Sequence, residues 1–211
     1  MFDLFTKGGL VMYPLLLCSI FSLAVGLERL YYLWRSRIDV DDLLADVKTA
    51  LLQERVLEAM QIAKRSRGPV AALVMAGLGQ YGKDEEVVEA HLEDVARQEV
   101  YKLERRLPVL DAIVTIAPLL GLLGTVTGII KSFNVLAAMQ GLATPSVLSA
   151  GIAEALLTTA AGLIVAIPTM AGYAYLSSLV DRRVLEMNRS ATQILAMVVK
   201  RETAARRSEA R

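Results

Sequence analysis

Cysteine and histidine are nearly absent from this sequence of 211 residues, which contains one of each, Cys18 and His91. A disulfide framework needs paired cysteines, and a metal site needs a cluster of ligating side chains, so neither is expected. The formal net charge is only +1, and no basic patch is interleaved with aromatic residues. The sequence therefore predicts no metal, no cofactor and no nucleic-acid partner.

The chain is unusually apolar, with 55% hydrophobic residues and a mean hydropathy of +0.46. It nevertheless contains 21% charged residues. Charges and apolar residues must then be segregated along the chain, because an ordinary soluble domain is less hydrophobic. This pattern is typical of membrane spans joined to a soluble part.

Three apolar segments reach the length of about 20 residues that a bilayer-spanning helix needs. Six consecutive parts are predicted: an outer N-terminus with the first span at 1–34, a cytoplasmic helical domain at 35–107, the second span at 108–138, a short periplasmic loop at 139–147, the third span at 148–179 and a cytoplasmic C-terminal helix at 180–211. The first span is expected to stay in the mature chain, since its apolar run is too long for a cleaved signal peptide.

The distribution of cations predicts the orientation of these spans. Lys and Arg follow the first span, precede the second and follow the third, whereas the loop at 139–147 has neither. By the positive-inside rule the N-terminus lies outside and the C-terminus inside. Any soluble function is then expected to face the cytoplasm.

The cytoplasmic parts are predicted to be helical throughout. Gly68 and Pro69 break one helix, and Asp84 is a candidate N-cap for the next. That helix is expected to run into the second span with only Pro108 as an interruption. The third span is expected to continue through four apolar residues at helical spacing, Val184, Met187, Ile194 and Val198. Long helices with uncovered apolar stripes favour an all-α homo-oligomer.

One nucleotide-binding motif is matched only in part. The stretch "GLGQYGKD" at 77–84 has the glycines and the lysine of a phosphate-binding loop. Asp84, however, stands where a Ser or Thr must bind magnesium, and no strand precedes the motif. We interpret the stretch as the end of one helix, a turn and the cap of the next, so ATP is not expected to act through this chain.

An acid and two hydroxyls occur inside the third span. Glu154 lies in "GIAEALLTTAAGLIVAIP", followed by Thr158 and Thr159. A carboxylate at the centre of a span costs roughly 2.5–3.5 kcal/mol and commonly marks an ion path. Glu154 is also close to the outer end of the span, where it can simply hydrogen-bond a neighbouring helix. The threonine hydroxyls can likewise be satisfied within their own helix, so packing and pathway both remain open.

The second span contains a matching hydroxyl among small residues. "GLLGTVTGIIKSF" places Thr125 beside Gly121, Gly124 and Gly128, a spacing that permits close helix contact. Because the second span runs outward and the third inward, Thr125 and Thr159 are expected at a similar depth. A ring of such pairs from several subunits predicts a narrow polar constriction in an apolar tunnel.

Two motifs resemble the signature spans of the MotA/TolQ/ExbB proton channel family: "APLLGLLGTVTGIIKSF" at 117–133 and "GIAEALLTTAAGLIVAIP" at 151–168. The resemblance implies that Thr125 and Thr159 are pore threonines and that Glu154 is the functional acid of the third span. On a regular helix, however, Glu154 is about 40° from Thr158 and about 140° from Thr159. Thr158 is therefore a possible secondary pathway residue, and Glu154 is expected at a subunit contact or the pore mouth.

The same resemblance implies an assembly and an activity. The chain is most similar to ExbB, and a homopentamer in membrane lipid would surround a dimeric, single-span, ExbD-like partner. Proton flow would then drive force onto a TonB-like transducer, with no covalent catalysis. A TolQ-like role in envelope integrity, sodium instead of protons, and a passive scaffold are the alternatives; MotA has four spans and fits less well.

Overall fold

The structure is a computed structural model that describes residues 9–35, 39–139 and 145–209, with side chains described only for 149–199 in the last range. Every regular element within these ranges is an α-helix. The helices are α1 (Met12–Arg35), α2 (Val40–Leu52), α3 (Val56–Arg65), α4 (Pro69–Gly79), α5 (Glu85–Glu104), α6 (Leu107–Ala138) and α7 (Pro145–Glu209). The predicted all-α class is confirmed.

Three helical stretches are long and apolar enough to cross a membrane, as predicted. They fall within Met12–Leu52, Glu85–Ala138 and Ser149–Val199. The central part of the loop predicted at 139–147 lies outside the described residues. α7 is a single helix of 65 residues, so the third span continues well beyond the length that a bilayer requires.

The break before the second span falls earlier than the sequence predicts. α5 ends at Glu104 and α6 begins at Leu107, with Arg106 in the left-handed conformation at φ 70°. Pro108 lies in the first turn of α6, where its missing N–H has no helical partner to lose. Pro108 therefore starts a helix instead of interrupting one.

The chain divides into two units, and the first combines Met1–Leu30 with Arg106–Leu176. Its described part contains most of α1, all of α6 and the first half of α7. Five buried side chains form an apolar cluster that joins these three helices: Met12, Leu15, Ile113, Ala117 and Ala166. Near the other end of α1, Glu28 accepts bonds from buried Arg29 and, at 2.7 Å, from Arg106. This ionic cluster fixes α1 against the start of α6.

The second unit combines Tyr31–Arg105 with Ser177–Arg211. α2 packs on α3, α3 on α4 and α4 on α5, and Gly77 of α4 lies against Ile194 in the later part of α7. Met187, Ile194 and Val198 are buried while Val184 is half-buried. The apolar stripe is therefore present, but the expectation that it is uncovered is wrong at three of its four positions, which are covered within the chain. α4 ends at Gly79, and Asp84 precedes α5, which supports the helix–turn–helix interpretation of the glycine-rich stretch.

A strained residue in the turn between α2 and α3 permits a stability test. Glu54 is exposed and has φ 62°, whereas its neighbour Gln53 has φ −89°. Glycine at either position carries a similar unfolded-state entropy cost, but only Glu54→Gly relieves left-handed strain. We expect Glu54→Gly to be more stable than Gln53→Gly by about 1–2 kcal/mol. Thermal unfolding of the detergent-solubilised protein measures this difference, and equal stabilities would contradict it.

Candidate functional site

α6 and α7 meet along a seam of small residues, and this seam contains the predicted site. Gly121, Gly124 and Gly128 are all buried on α6. A Cβ added at Gly128 would lie 2.9 Å from the Cβ of Ala155, and one added at Gly124 would overlap the Thr158 side chain. The helices therefore approach to a distance that only glycine permits at these positions.

The α7 side of the seam is equally close. A Cβ added at Gly162 would lie 2.6 Å from the carbonyl oxygen of Ala117, and one at Gly151 would overlap the hydroxyl of Ser132. Residue numbers rise along α6 as they fall along α7, so the two helices are antiparallel. This register fixes which side chains of the predicted site can meet.

Thr159 makes a direct bond across the seam. Its hydroxyl donates to the carbonyl oxygen of Gly121 at 3.1 Å, and the residue is half-buried. A serine or threonine hydroxyl usually returns to its own helix. Here the glycine at position 121 leaves a backbone carbonyl accessible to the neighbouring helix, so Thr159 links α7 to α6.

Thr158 is the most enclosed of the predicted residues, with 1% of its surface exposed. Its hydroxyl donates to the carbonyl oxygen of Ala155 at 2.7 Å, and the side chain lies against Gly124. The hydroxyl is thus satisfied within its own helix, and the Thr158 side chain, with its hydroxyl oxygen nearest, fills the space that Gly124 leaves.

Thr125 is half-buried, and its hydroxyl donates to the carbonyl oxygen of Leu122 at 2.6 Å. Thr159 contacts Gly121, which precedes Thr125 by four residues, or about one helical turn. The backbones of Thr125 and Thr159 therefore differ in height by about one helical turn, so the similar depth expected from the sequence is not found at the backbone. Both lie on the same edge of the seam, since each is displaced to one side of the buried glycine and alanine stripe.

Glu154 lies on the opposite edge of the seam. Its carboxylate accepts bonds from the Lys131 ammonium at 3.0 and 3.3 Å. Lys131 is about 120° from Thr125 around α6, and Glu154 is about 140° from Thr159 around α7. The structure thus brings Thr125 and Thr159 together on one edge, and Glu154 together with Lys131 on the other.

Lys131 is the residue of this region that the sequence analysis missed. It precedes Glu154 by 23 residues, and helical periodicity relates residues only within one helix. One signal was present: Lys131 is the first charged residue after Asp111 along α6. An isolated charge in an apolar helix commonly has an opposite charge as its partner.

The described residues contain no group of three or more His, Cys, Asp or Glu side chains that could hold a metal ion. Cys18 is half-buried and not part of a disulfide. The polar groups of the seam are instead hydroxyls, backbone carbonyls and one ion pair. Such groups can bind water or a passing cation.

Comparison with known proteins supports the resemblance on which the site was predicted. Residues 55–189 match the MotA/TolQ/ExbB proton channel family, a channel-type family and not a class of enzymes. The chain is 39% identical over 180 residues to the protein named ExbB-like 1 of Synechocystis sp., covering 84% of this chain and 70% of that protein.

Two further relatives have different names. The biopolymer transport protein exbB1 of Vibrio cholerae is 31% identical over 182 residues, covering 85% of this chain and 80% of its own length. The Tol-Pal system protein TolQ of Pseudomonas aeruginosa is 45% identical over 92 residues, covering 40% of this chain and 39% of its own length. These two ExbB-named relatives are therefore similar over more of the chain than this TolQ protein is.

The close contact of α6 and α7 predicts a difference between two identical substitutions on one helix. Gly162→Ala places a methyl group against the Ala117 carbonyl, whereas nothing lies within 4 Å of a Cβ at Gly172. Both variants gain about 1 kcal/mol of helix propensity, but only Gly162→Ala also incurs an overpacking cost of about 1–3 kcal/mol.

We therefore expect Gly162→Ala to be clearly less stable than the Gly172→Ala control when unfolding is followed in mixed detergent micelles. If the two variants unfold at the same denaturant concentration, the seam is looser than the structure indicates.

Proposed function

The chain belongs to the MotA/TolQ/ExbB proton channel family, and we propose that it is an ExbB-like motor subunit of the bacterial inner membrane. In this proposal it conducts protons together with a single-span, ExbD-like partner and converts proton motive force into mechanical work. A TonB-like transducer would carry that work to outer-membrane transport. Each proton that crosses 100 mV supplies about 2.3 kcal/mol for the purpose.

The observation that carries the proposal is the threonine edge of the α6–α7 seam, defined by Thr125 and Thr159. Both hydroxyls are incompletely buried within the single chain, although they lie in helices that are otherwise strongly apolar. A hydroxyl that faces lipid tails finds no further hydrogen-bond partner there, whereas one that faces a pore can bind water or a cation. The threonine edge therefore favours a pore built from several copies of this chain.

The need for a partner follows from the charges of the two spans. No Asp, Glu, Lys or Arg occurs between Asp111 and Lys131 on α6, or between Glu154 and Asp181 on α7. The threonine edge can orient water but cannot accept a proton from it. We infer that an acid on another chain, as in an ExbD-like helix, completes the path.

The proposed orientation places the N-terminus in the periplasm and the C-terminus in the cytoplasm, because most of the cations that flank the spans lie on one side. α2 to α5 and the later part of α7 would then form the cytoplasmic domain. Within the seam we assign Thr158 to packing, since its hydroxyl already bonds Ala155 and its side chain fills the gap at Gly124.

A TolQ-like role is the second candidate. The strongest observation in its favour is the 45% identity to a TolQ protein over 92 residues. Two ExbB-named relatives match 84% and 85% of the chain, compared with 40% for that TolQ protein, so we favour the ExbB-like role. A passive scaffold would have the same helices but would conduct no ions.

The proposed pore predicts a defined oligomer. Many large apolar side chains of α6 and α7 are exposed in the single chain, among them Leu122, Val126, Ile129, Leu163 and Ile164. Lipid and neighbouring copies would cover them. Native mass spectrometry from mild detergent is expected to show five copies of the 22.9 kDa chain. A stable monomer would exclude a pore between subunits, and another ring size would correct the stoichiometry.

The threonine edge predicts a selective loss of proton flux. Thr125→Val and Thr159→Val, tested with the partner in liposomes under a pH gradient, should each lower flux by about 5- to 150-fold, since one lost hydroxyl contact costs about 1–3 kcal/mol. Thr127→Val is the matched control, because Thr127 lies about 160° from Thr125 around α6, away from the threonine edge, although its hydroxyl bonds main-chain carbonyls as that of Thr125 does.

The control should conduct as the parent protein does, and all three variants should assemble normally. Normal flux in Thr125→Val and Thr159→Val would assign both hydroxyls to packing and favour the scaffold. Energised uptake through a TonB-dependent receptor, compared with rescue of a TolQ-deficient envelope, then separates the two motor roles.

A further inference from the structure

Lys131 and Glu154 form an ion pair within one chain, between the outer part of α6 and the start of α7. The Lys131 side chain is 66% exposed, whereas that of Glu154 is only 23% exposed. The carboxylate is thus the enclosed partner, and the ammonium reaches it from the surface. Both carboxylate oxygens accept from the same ammonium group, which restricts rotation of the carboxylate.

A second element encloses the same carboxylate. Gly9, just before α1, has φ +68°, and a Cβ added there would lie 2.5 Å from one oxygen of Glu154. The carboxylate is therefore held between the Lys131 ammonium on one side and the backbone before α1 on the other. Rotation towards the threonine edge would require it to leave both contacts.

The spacing of charges indicates the depth of this ion pair. Lys131 follows Asp111 by twenty residues with no charged residue between them. At 1.5 Å per residue this is about 30 Å, the thickness of the hydrocarbon core. If Asp111 lies at one membrane boundary, Lys131 and Glu154 lie at the other, where water reaches them. The ion pair is then at the mouth of a path and not at its midpoint.

We propose that Lys131 is a positioning residue of the ion path. It binds the Glu154 carboxylate at the outer mouth, on the edge of the seam opposite Thr125 and Thr159. There Lys131 fixes the Glu154 carboxylate in place and neutralises its charge. The carboxylate lines the entrance of the path, and it does not carry ions through the constriction. The transport role rests on the proposed function, whereas the intrachain ion pair does not.

The geometry of the ion pair can be tested without any transport measurement. A water-soluble carbodiimide condenses an amine and a carboxylate in contact to an amide, with net loss of one water. Treating a mixture of ¹⁵N-labelled and unlabelled subunits, assembled together in membranes, distinguishes links within one chain from links between chains. Mass spectrometry should detect a Lys131–Glu154 link within one chain, absent from Lys131→Met and Glu154→Gln.

Absence of that link in the parent protein, or its formation only between differently labelled subunits, would overturn the proposal. The link would in either case be read from peptide masses, so the result does not depend on ion flux. Failure of the ion pair is therefore distinguishable from failure of the proposed function.

The transport role is tested with the complete complex in liposomes. Lys131→Met keeps the length of the side chain but removes its charge, and we expect proton flux to fall by about tenfold, because the unpaired Glu154 carboxylate is then free to rotate and binds a passing cation too strongly for release. Lys131→Arg should retain flux within about twofold, since it preserves the ion pair. Asn134→Met, an exposed substitution one turn away on α6, is the matched control and should not change flux.

A double variant tests whether Lys131 and Glu154 affect proton flux independently. Because Lys131 acts through Glu154, the double variant Lys131→Met/Glu154→Gln should conduct no worse than the poorer of its two single variants. Parent-like flux in Lys131→Met, or losses that multiply in the double variant, would overturn the positioning role. A parent complex that conducts no protons would overturn both this role and the proposed function.

Discussion

The close approach of α6 and α7 is the constraint on which the rest of the first unit, with α1, α6 and the first half of α7, depends. Glycines on both helices face the partner backbone at distances that leave no room for a Cβ. Lipid tails are as apolar as the helix surfaces, so the hydrophobic effect does not drive helices together inside a membrane. Such helices associate instead through tight packing and hydrogen bonds. The bond from Thr159 to the Gly121 carbonyl exists only because that approach exposes a main-chain acceptor, and the burial of Thr158 follows from the same geometry.

The register of the seam also separates two kinds of polar chemistry. Neutral hydroxyls lie on one edge, at Thr125 and Thr159, and the charged groups Lys131 and Glu154 lie on the other. A hydroxyl can exchange hydrogen bonds with water without a large desolvation cost, whereas an isolated charge inside a bilayer is expensive. Lys131 and Glu154 neutralise each other on one edge of the seam. The edge with Thr125 and Thr159 therefore contains no charged group along the apolar span.

Sequence patterns predicted features that depend on one helix at a time. Helical class, three apolar spans and the buried positions Met187, Ile194 and Val198 follow from periodicity, which a single helix determines. The angle between Glu154 and Thr159 around their helix was also predicted, because it follows from the geometry of a regular helix. The ion pair of Glu154 with Lys131 was not, because it depends on which small residues meet across α6 and α7, and periodicity contains no information on that register. The break at Arg106 was missed because arginine is not a residue expected at positive φ.

The position of Glu154 bears on why a channel would place an acid near hydroxyls yet out of their reach. A free carboxylate beside Thr125 and Thr159 would bind a cation strongly, and conduction requires binding that is weak enough for release. Lys131 reduces that attraction by occupying both carboxylate oxygens. The proposed constriction would then contain only hydroxyls and main-chain carbonyls, so the acid that takes up the proton could belong to a moving partner. In the proposed motor this arrangement would couple each proton to displacement of the partner, since the ring of subunits would provide no site at which the proton could remain.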